Sequence, residues 1–336
     1  MPALGIVAGL AALLVFALLL GAGDIRTAAS PPSRLFITER SRGQVLMLDP
    51  ATGAQLAAAA LGETPAAIVY DAERAQLYVA LPHAIAALDP ATLAVRWRWQ
   101  APQEISSNAN IALQAAGGRL YLPQPSGVIA LDVSRDAPAV AHVFALNARP
   151  QALALTPNGA TLLALAPTEA RLWSINTGEG TASSQQLAQP DATRSGWLAL
   201  SPDGATSYAL LTRVGSAATP TVWQINQRDG ASTTLALGSA PAPWDFALLG
   251  GGLLAVPRGN GTRGGIELLS TAPLSQSAQL DASYDQHHIV VGANGELFGL
   301  NFSHGTVTRY DVAGRAVAWR TPADTGISPW DGVLVP

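Results

Sequence analysis

The sequence predicts an all-β fold, a seven-bladed β-propeller of four-stranded antiparallel blades, and three observations carry that prediction. First, a unit of short apolar runs, a loop and a polar turn recurs with starts at Leu35, Leu77, Leu120, Leu162, Ser207, Leu253 and Leu297, a period of 42 to 46 residues. Second, the runs have strand length and alternating, β-branched character, and the residues between them are the Gly, Asn and Asp of turns. Third, the turn between the first and second strands of a unit occurs six times, at Asp71, Gly117, Asn158, Asp203, Gly250 and Asn294, against seven starts. The count balances if residues 332–335 form the inner strand of the unit that begins at Leu35. One C-terminal and three N-terminal strands then close the ring and remove the exposed edges of an open one.

The propeller is expected over residues 35–336, preceded by a membrane helix at 1–23 and a linker at 24–34. Residues 3–22 carry no charged or strongly polar side chain, and twenty residues at about 1.5 Å each make a helix of roughly 30 Å, the thickness of the hydrocarbon core. A cleaved signal peptide is the competing reading, with Gly21, Ala22 and Gly23 as small residues for a cleavage site. The run is longer than such segments usually are, and no Lys or Arg precedes it, which favours a retained signal anchor. Gly5 and Gly9 form a Gly-xxx-Gly pattern that lets a second helix approach, though both residues are common in membrane helices. Arg26, Arg34, Arg40 and Arg42 all follow the run, which by charge alone holds the ring in the cytoplasm. Large folded domains translocate largely regardless of such counts, and an apolar N-terminus is an export signal. The propeller is therefore expected on the extracytoplasmic side.

Composition excludes several function classes. With net charge −4, no Lys and no basic run, the chain lacks the clustered cations that nucleic acid requires. No Cys means no disulfide, no thiolate nucleophile and no Cys-bound zinc. With 49% hydrophobic and 12% charged residues, a large packed core is affordable.

Within each unit the third strand ends at a short polar residue: Asp49, Asp89, Asp132, Asn176, Asn226, Ser270 or Asp311. Such side chains accept from backbone N–H groups two residues on. Because the repeat places each on a different blade, they do not converge as metal ligands would. Trp97, Trp173, Trp223 and Trp319 fall in strands near blade edges, where large rings fill the space between sheets.

Leu77-Tyr78-Val79 followed by Ile85-Ala86-Ala87-Leu88-Asp89-Pro90 resembles the repeat of YVTN-type bacterial propellers. Leu88-Asp89-Pro90-Ala91-Thr92 with Trp97, and Gly314 with Trp319, are also similar to the quinoprotein dehydrogenase repeat. The resemblance spans residues 35–336 and implies the propeller fold, because these motifs build repeats and carry no reaction of their own. Quinoprotein dehydrogenases have eight blades, and often a vicinal disulfide and a calcium site. Seven units without Cys depart from that pattern.

Among motifs that carry chemistry, Gly259 to Gly264 matches a dinucleotide fingerprint but lies between two strands of one unit, with no helix to receive a pyrophosphate. Asn260-Gly261-Thr262 and Asn301-Phe302-Ser303 fit glycosylation acceptors. No nucleophile elbow, paired-His helix, calcium loop or phosphate loop is present.

The informative position is the entrance to each inner strand, where side chains rim the central channel. It reads Ala67, Asn110, Ala152, Trp197, Asp245, His287 and Asp331 around the ring, with Trp244, Gln286 and Trp330 immediately before the last three. Asn110, Trp197, Trp244, Asp245, His287, Trp330 and Asp331 are thus the candidate ligand-binding residues. Two Asp and a His converging on three adjacent blades could hold a metal, do acid/base work or anchor a ligand between two indoles. The plain alternative is that they satisfy channel water and neighbouring backbone.

The expected function is a non-enzymatic, membrane-anchored interaction module, an accessory subunit of a membrane complex whose partners are a membrane protein and, through residues 3–22, the lipid bilayer. No catalytic residue, cofactor or metal is assigned. The alternative is a quinoprotein-like dehydrogenase or a metal-assisted hydrolase using Asp245, His287 and Asp331 at the channel mouth, with pyrroloquinoline quinone (PQQ) or calcium.

Overall fold

A computed structural model of the chain describes residues 33–105, 112–114, 117–213, 219–238, 242–259, 264–323 and 325–336. The expected membrane helix with Gly5 and Gly9, most of the linker, Asn110 and Asn260 lie outside the described residues. Among the described residues no helix is long and apolar enough to cross a membrane.

Residues Ser33–Val335 form one unit built of seven antiparallel sheets. Blade 1 runs, from the channel outward, Pro329–Val335, Arg34–Glu39, Gln44–Leu48 and Gln55–Ala60. The first pairing joins the chain ends, with Arg34 opposite Val335 and Ile37 opposite Gly332, so the ring closes by the strand arrangement that the turn count predicts. Blade 7 runs His288–Val291, Leu297–Asn301, Thr306–Asp311 and Ala316–Arg320. Blade 6 is the irregular one: its inner strand is split into Ala242–Pro243 and Ala247–Leu249, both pairing with Leu253–Gly259. Blades 2 to 5 have inner strands at Ala67–Asp71, Ala112–Gln114, Ala152–Leu155 and Arg194–Leu200.

The core sits between blades. Successive residues of a strand point to opposite sheet faces, so in blade 1 Phe36 packs toward blade 2 while Leu35 and Ile37 pack toward blade 7. Seven hydrophobic clusters result, one at each interface around the ring. Trp97, Trp173, Trp223 and Trp319 lie half-buried against four of them.

The polar turn heads act locally. Asp49, Asp89, Asp132, Asn176 and Asn226 each accept from the backbone N–H two residues on at 2.7–3.0 Å, as Ser270 does at 3.3 Å. Asp311 reaches one residue further, to Gly314 N–H at 2.9 Å. In blade 1 this turn ends at Gly53, whose φ of +75° is left-handed and whose Cβ, if present, would stand 2.7 Å from the Trp319 ring of blade 7.

Candidate functional site

Blades 6 and 1 enter the ring with the same tripeptide, Pro243-Trp244-Asp245 and Pro329-Trp330-Asp331. In both, the inner strand carries one residue more than its partner: Pro329 faces Glu39 while Gly332 faces Ile37, and Pro243 faces Arg258 while Ala247 faces Ala255. Such a bulge re-aims side chains, and a Pro is tolerated there because the inner strand is a sheet edge.

The bulge turns each Asp sideways onto the next blade. Asp331 accepts the N–H of Gly332 at 2.8 Å through one oxygen and, through the other, that of Ile68 in blade 2 at 2.9 Å. Asp245 does the same with Phe246 at 2.7 Å and Ile289 of blade 7 at 3.0 Å. These are clips between neighbouring inner strands, which otherwise share no ladder. Burial in the channel wall pushes Asp331 up to about 6, opposed by the Ile68 N–H and reinforced by the Asp245 charge.

Blade 7 supplies the imidazoles. Backbone pairing sets His288, rather than the His287 expected from sequence, opposite Leu300, so His288 occupies the repeat position, because the turn before Leu297 is one residue shorter than the one before Leu162. His288 Nδ1 lies 3.6 Å from Asp245, and its buried Nε2 has no partner. His287 is 2% exposed, with Nε2 3.4 Å from Asp285. Burial lowers it to about 4 in spite of that carboxylate, so it is neutral at neutral pH. A neutral ring donating from Nε2 to Asp285 leaves Nδ1 as a bare lone pair, and Nδ1 has no partner. Asp285 is also held by Asn301 Nδ2 at 2.7 Å and lies 3.7 Å from His304 Nε2.

Above these groups the rings form one continuous wall. Trp244 meets His287 edge-on at 5.4 Å, His287 stacks on Phe302 at 3.9 Å, and Phe302 lies 5.5 Å from Trp330. Trp330 in turn contacts His288 at 4.3 Å and carries the Arg40 guanidinium 4.0 Å above its ring. Trp244, Phe302 and Trp330 are half-buried, which leaves part of each ring facing outward.

The loops bearing this wall are pinned from below by polar residues where the second strand of each blade ends. Glu39, buried, accepts from Ser41 N–H at 2.8 Å, Arg42 N–H at 3.0 Å, Gln44 Nε2 at 3.2 Å and Ser328 N–H at 2.8 Å, and from the Ser41 hydroxyl. Asn301 occupies the same position in blade 7 and donates to Asp285 O at 2.8 Å. In blade 6 it is Arg258, whose Nη1 pairs with Glu267 at 3.0 Å beside a cavity of about 370 Å³. Blades 2 and 4 have buried Leu81 and Ala166 there. Three adjacent blades are thus rigidified on one face, as a preorganised site requires.

Of the sequence candidates, the structure brings Trp244, Asp245, His287, Trp330 and Asp331 together on blades 6, 7 and 1. Trp197 lies instead against the core between blades 5 and 6, with no ring contact to the wall among the described residues. Sequence reading passed over Phe302, His288, Asp285, Arg40 and Glu39. A charged or amide residue at a strand end that is apolar in blades 2 and 4, though blade 3 has Gln124 there, was the available signal for Glu39, Asn301 and Arg258.

Calcium requires six to eight oxygen ligands. Each carboxylate oxygen of Asp245 and Asp331 already accepts a backbone N–H, and among the described residues no three His, Asp or Glu side chains are grouped to hold a metal. No chemical step is assigned through calcium or a quinone.

No family model matches the chain, and no curated protein matches it. Solved structures do. A Lactobacillus plantarum protein aligns over 90% of this chain and 99% of its own at 16% identity, TM-score 0.67. A 6-phosphogluconolactonase-like protein of Bacteroides uniformis aligns over 91% and 100% at 14% identity, TM-score 0.64. The dihydro-heme d1 dehydrogenase NirN aligns over 90% of this chain and 66% of its own at 17% identity, TM-score 0.63. At these identities the likeness is one of fold, the seven-bladed propeller.

Proposed function

We propose that the chain is a membrane-anchored, extracytoplasmic binding propeller, an accessory subunit that engages a membrane protein partner through the face over blades 6, 7 and 1. The observation that carries this reading is the half-exposed rings of Trp244, Phe302 and Trp330, joined through the buried His287 and flanked by Arg40, held on loops that Glu39 and Asn301 pin from below. Trp and Arg dominate the energetically important positions of protein interfaces, and a preformed arrangement avoids the ordering cost that flexible loops incur on binding. The two channel Asp residues are engaged in clipping blades together, which is a structural employment. The apolar stretch at residues 3–22 supports the tether, and the low charge of the chain suits burial against a partner.

The test is purification of the full chain from its native membrane in mild detergent, with the Trp330→Ala variant in parallel. A stoichiometric companion that is lost with Trp330→Ala is expected. A chain that travels alone contradicts the reading.

A further inference from the structure

Arg40 stands out among the cations of this face. Its guanidinium carbon lies over the Trp330 ring, 4.0 Å from the centroid, and among the described residues the group has neither a hydrogen-bond nor a carboxylate partner. A cation–π contact of this kind uses the charge and leaves the N–H donors without an acceptor. The group is half-buried, and burial lowers its pKa, so the charge is held where water solvates it poorly. Arg42, on the same hairpin, adds a second positive charge, whose guanidinium among the described residues donates to a carbonyl, Thr325 O, at 3.3 Å. Glu39, the adjacent acid, is turned inward and saturated by backbone and side-chain donors, so it does not neutralise Arg40. A second group touching the same indole also lacks a partner, the buried Nε2 of His288.

We propose that Arg40, backed by Trp330, is the anchor for a carboxylate borne on a planar apolar group, with the outward parts of Trp330 and Phe302 receiving that group. A planar carboxylate matches the guanidinium fork with two parallel hydrogen bonds. One such fork suits a monoanion, and a flat ring suits a wall of flat rings. The inference rests on the proposed binding face and names the chemistry it selects. Two sources share that chemistry, a free aromatic acid and the C-terminal carboxylate of a chain ending in an aromatic residue.

The experiment is calorimetry on the full chain in lipid nanodiscs, with empty nanodiscs as blank. The probes are 2-naphthoate against its methyl ester, and a tetrapeptide ending in Trp against its C-terminal amide. In at least one pair the acid is expected to bind tenfold or more tighter than its neutral form, the scale of a hydrogen-bonded charge. Arg40→Gln, whose side chain supports no fold contact by hydrogen bonding, should bring acid and neutral form to the same weak level, while Arg42→Gln keeps the ratio within about threefold. The pair with the larger ratio identifies the source. Equal binding of acid and neutral forms, no binding by any probe, or a ratio unchanged by Arg40→Gln overturns the inference. If a partner still co-purifies in that event, the binding-face reading stands and only the carboxylate assignment falls.

Discussion

Two buried groups of the candidate site should oppose one another in the pH dependence of stability, and substituting each separately should expose the other. Asp331 sits at about 6 in the fold against an ordinary 3.8. The folded state therefore binds more protons than the unfolded between those values, and stability falls as pH rises through that window. His287 sits at about 4 against 6.5. Here the unfolded state binds more protons, and stability rises over nearly the same window. At 1.36 kcal/mol per pH unit, each contribution approaches about 3 kcal/mol as an upper figure, with opposite sign. The channel access of Asp331 reduces its share to about 2 kcal/mol. The carboxylates of the outer turns do not confuse the comparison. Asp89, for example, is held down to about 2 by Arg96, so its contribution is lost as pH falls below 4. The wild-type protein should accordingly show a nearly flat profile between pH 4 and 6.5. Asp331→Asn should turn it into a rise of about 3 kcal/mol, and His287→Gln into a fall of about 2 kcal/mol. Urea midpoints read by tryptophan fluorescence, multiplied by the denaturant slope, give these differences directly. Two variant profiles that both stay flat would refute the assignment of buried, oppositely shifted groups.

Three further outcomes follow from the same geometry. Gly53→Ala should destabilise by about 1–3 kcal/mol in thermal melts, because the left-handed φ and the Trp319 ring both exclude a Cβ, whereas Gly62→Ala, with open space around it, should show the backbone cost alone. Glu39→Ala should cost about 3 kcal/mol or more, since it strands several donors around a buried site, and hydrogen exchange should show the loss first in the hairpin around Ser41 and at Ser328. Ending the chain at Ser328 removes the inner strand of blade 1 and should abolish cooperative unfolding, because Arg34–Glu39 then becomes an exposed edge; a truncated chain that melts as the full one does would contradict closure by the termini.

The ring was legible in the sequence because a propeller writes its period directly. Leu35 and its counterparts recur at one repeat position, turn heads such as Asp89 and Asn176 keep their local role, and six inner turns against seven starts located the closing strand. The site was legible only as a crowding of Trp, Asp and His at three neighbouring entrances. What each residue does depends on the next blade's backbone: Asp331 is explained by the N–H of Ile68, 263 positions away in sequence. The turn from Val291 to Leu297 is one residue shorter than its counterpart from Leu155 to Leu162, which moved the repeat position from His287 to His288, and a change of turn length of that kind leaves no composition signal. Phe302 and Arg40 sit on hairpin tips, where no periodicity constrains the residue, so nothing in the repeat singled them out.

The proposed partner-binding surface is the face over blades 6, 7 and 1. Photo-crosslinking in the native membrane tests it most directly, with a benzophenone amino acid placed at Ser303, exposed beside Phe302, and in a second chain at Val143, 59% exposed on the outer strand of blade 3. One discrete adduct is expected from Ser303, lost with Trp330→Ala, and none from Val143. An adduct from Val143 with none from Ser303 would place the binding surface elsewhere and contradict the proposal.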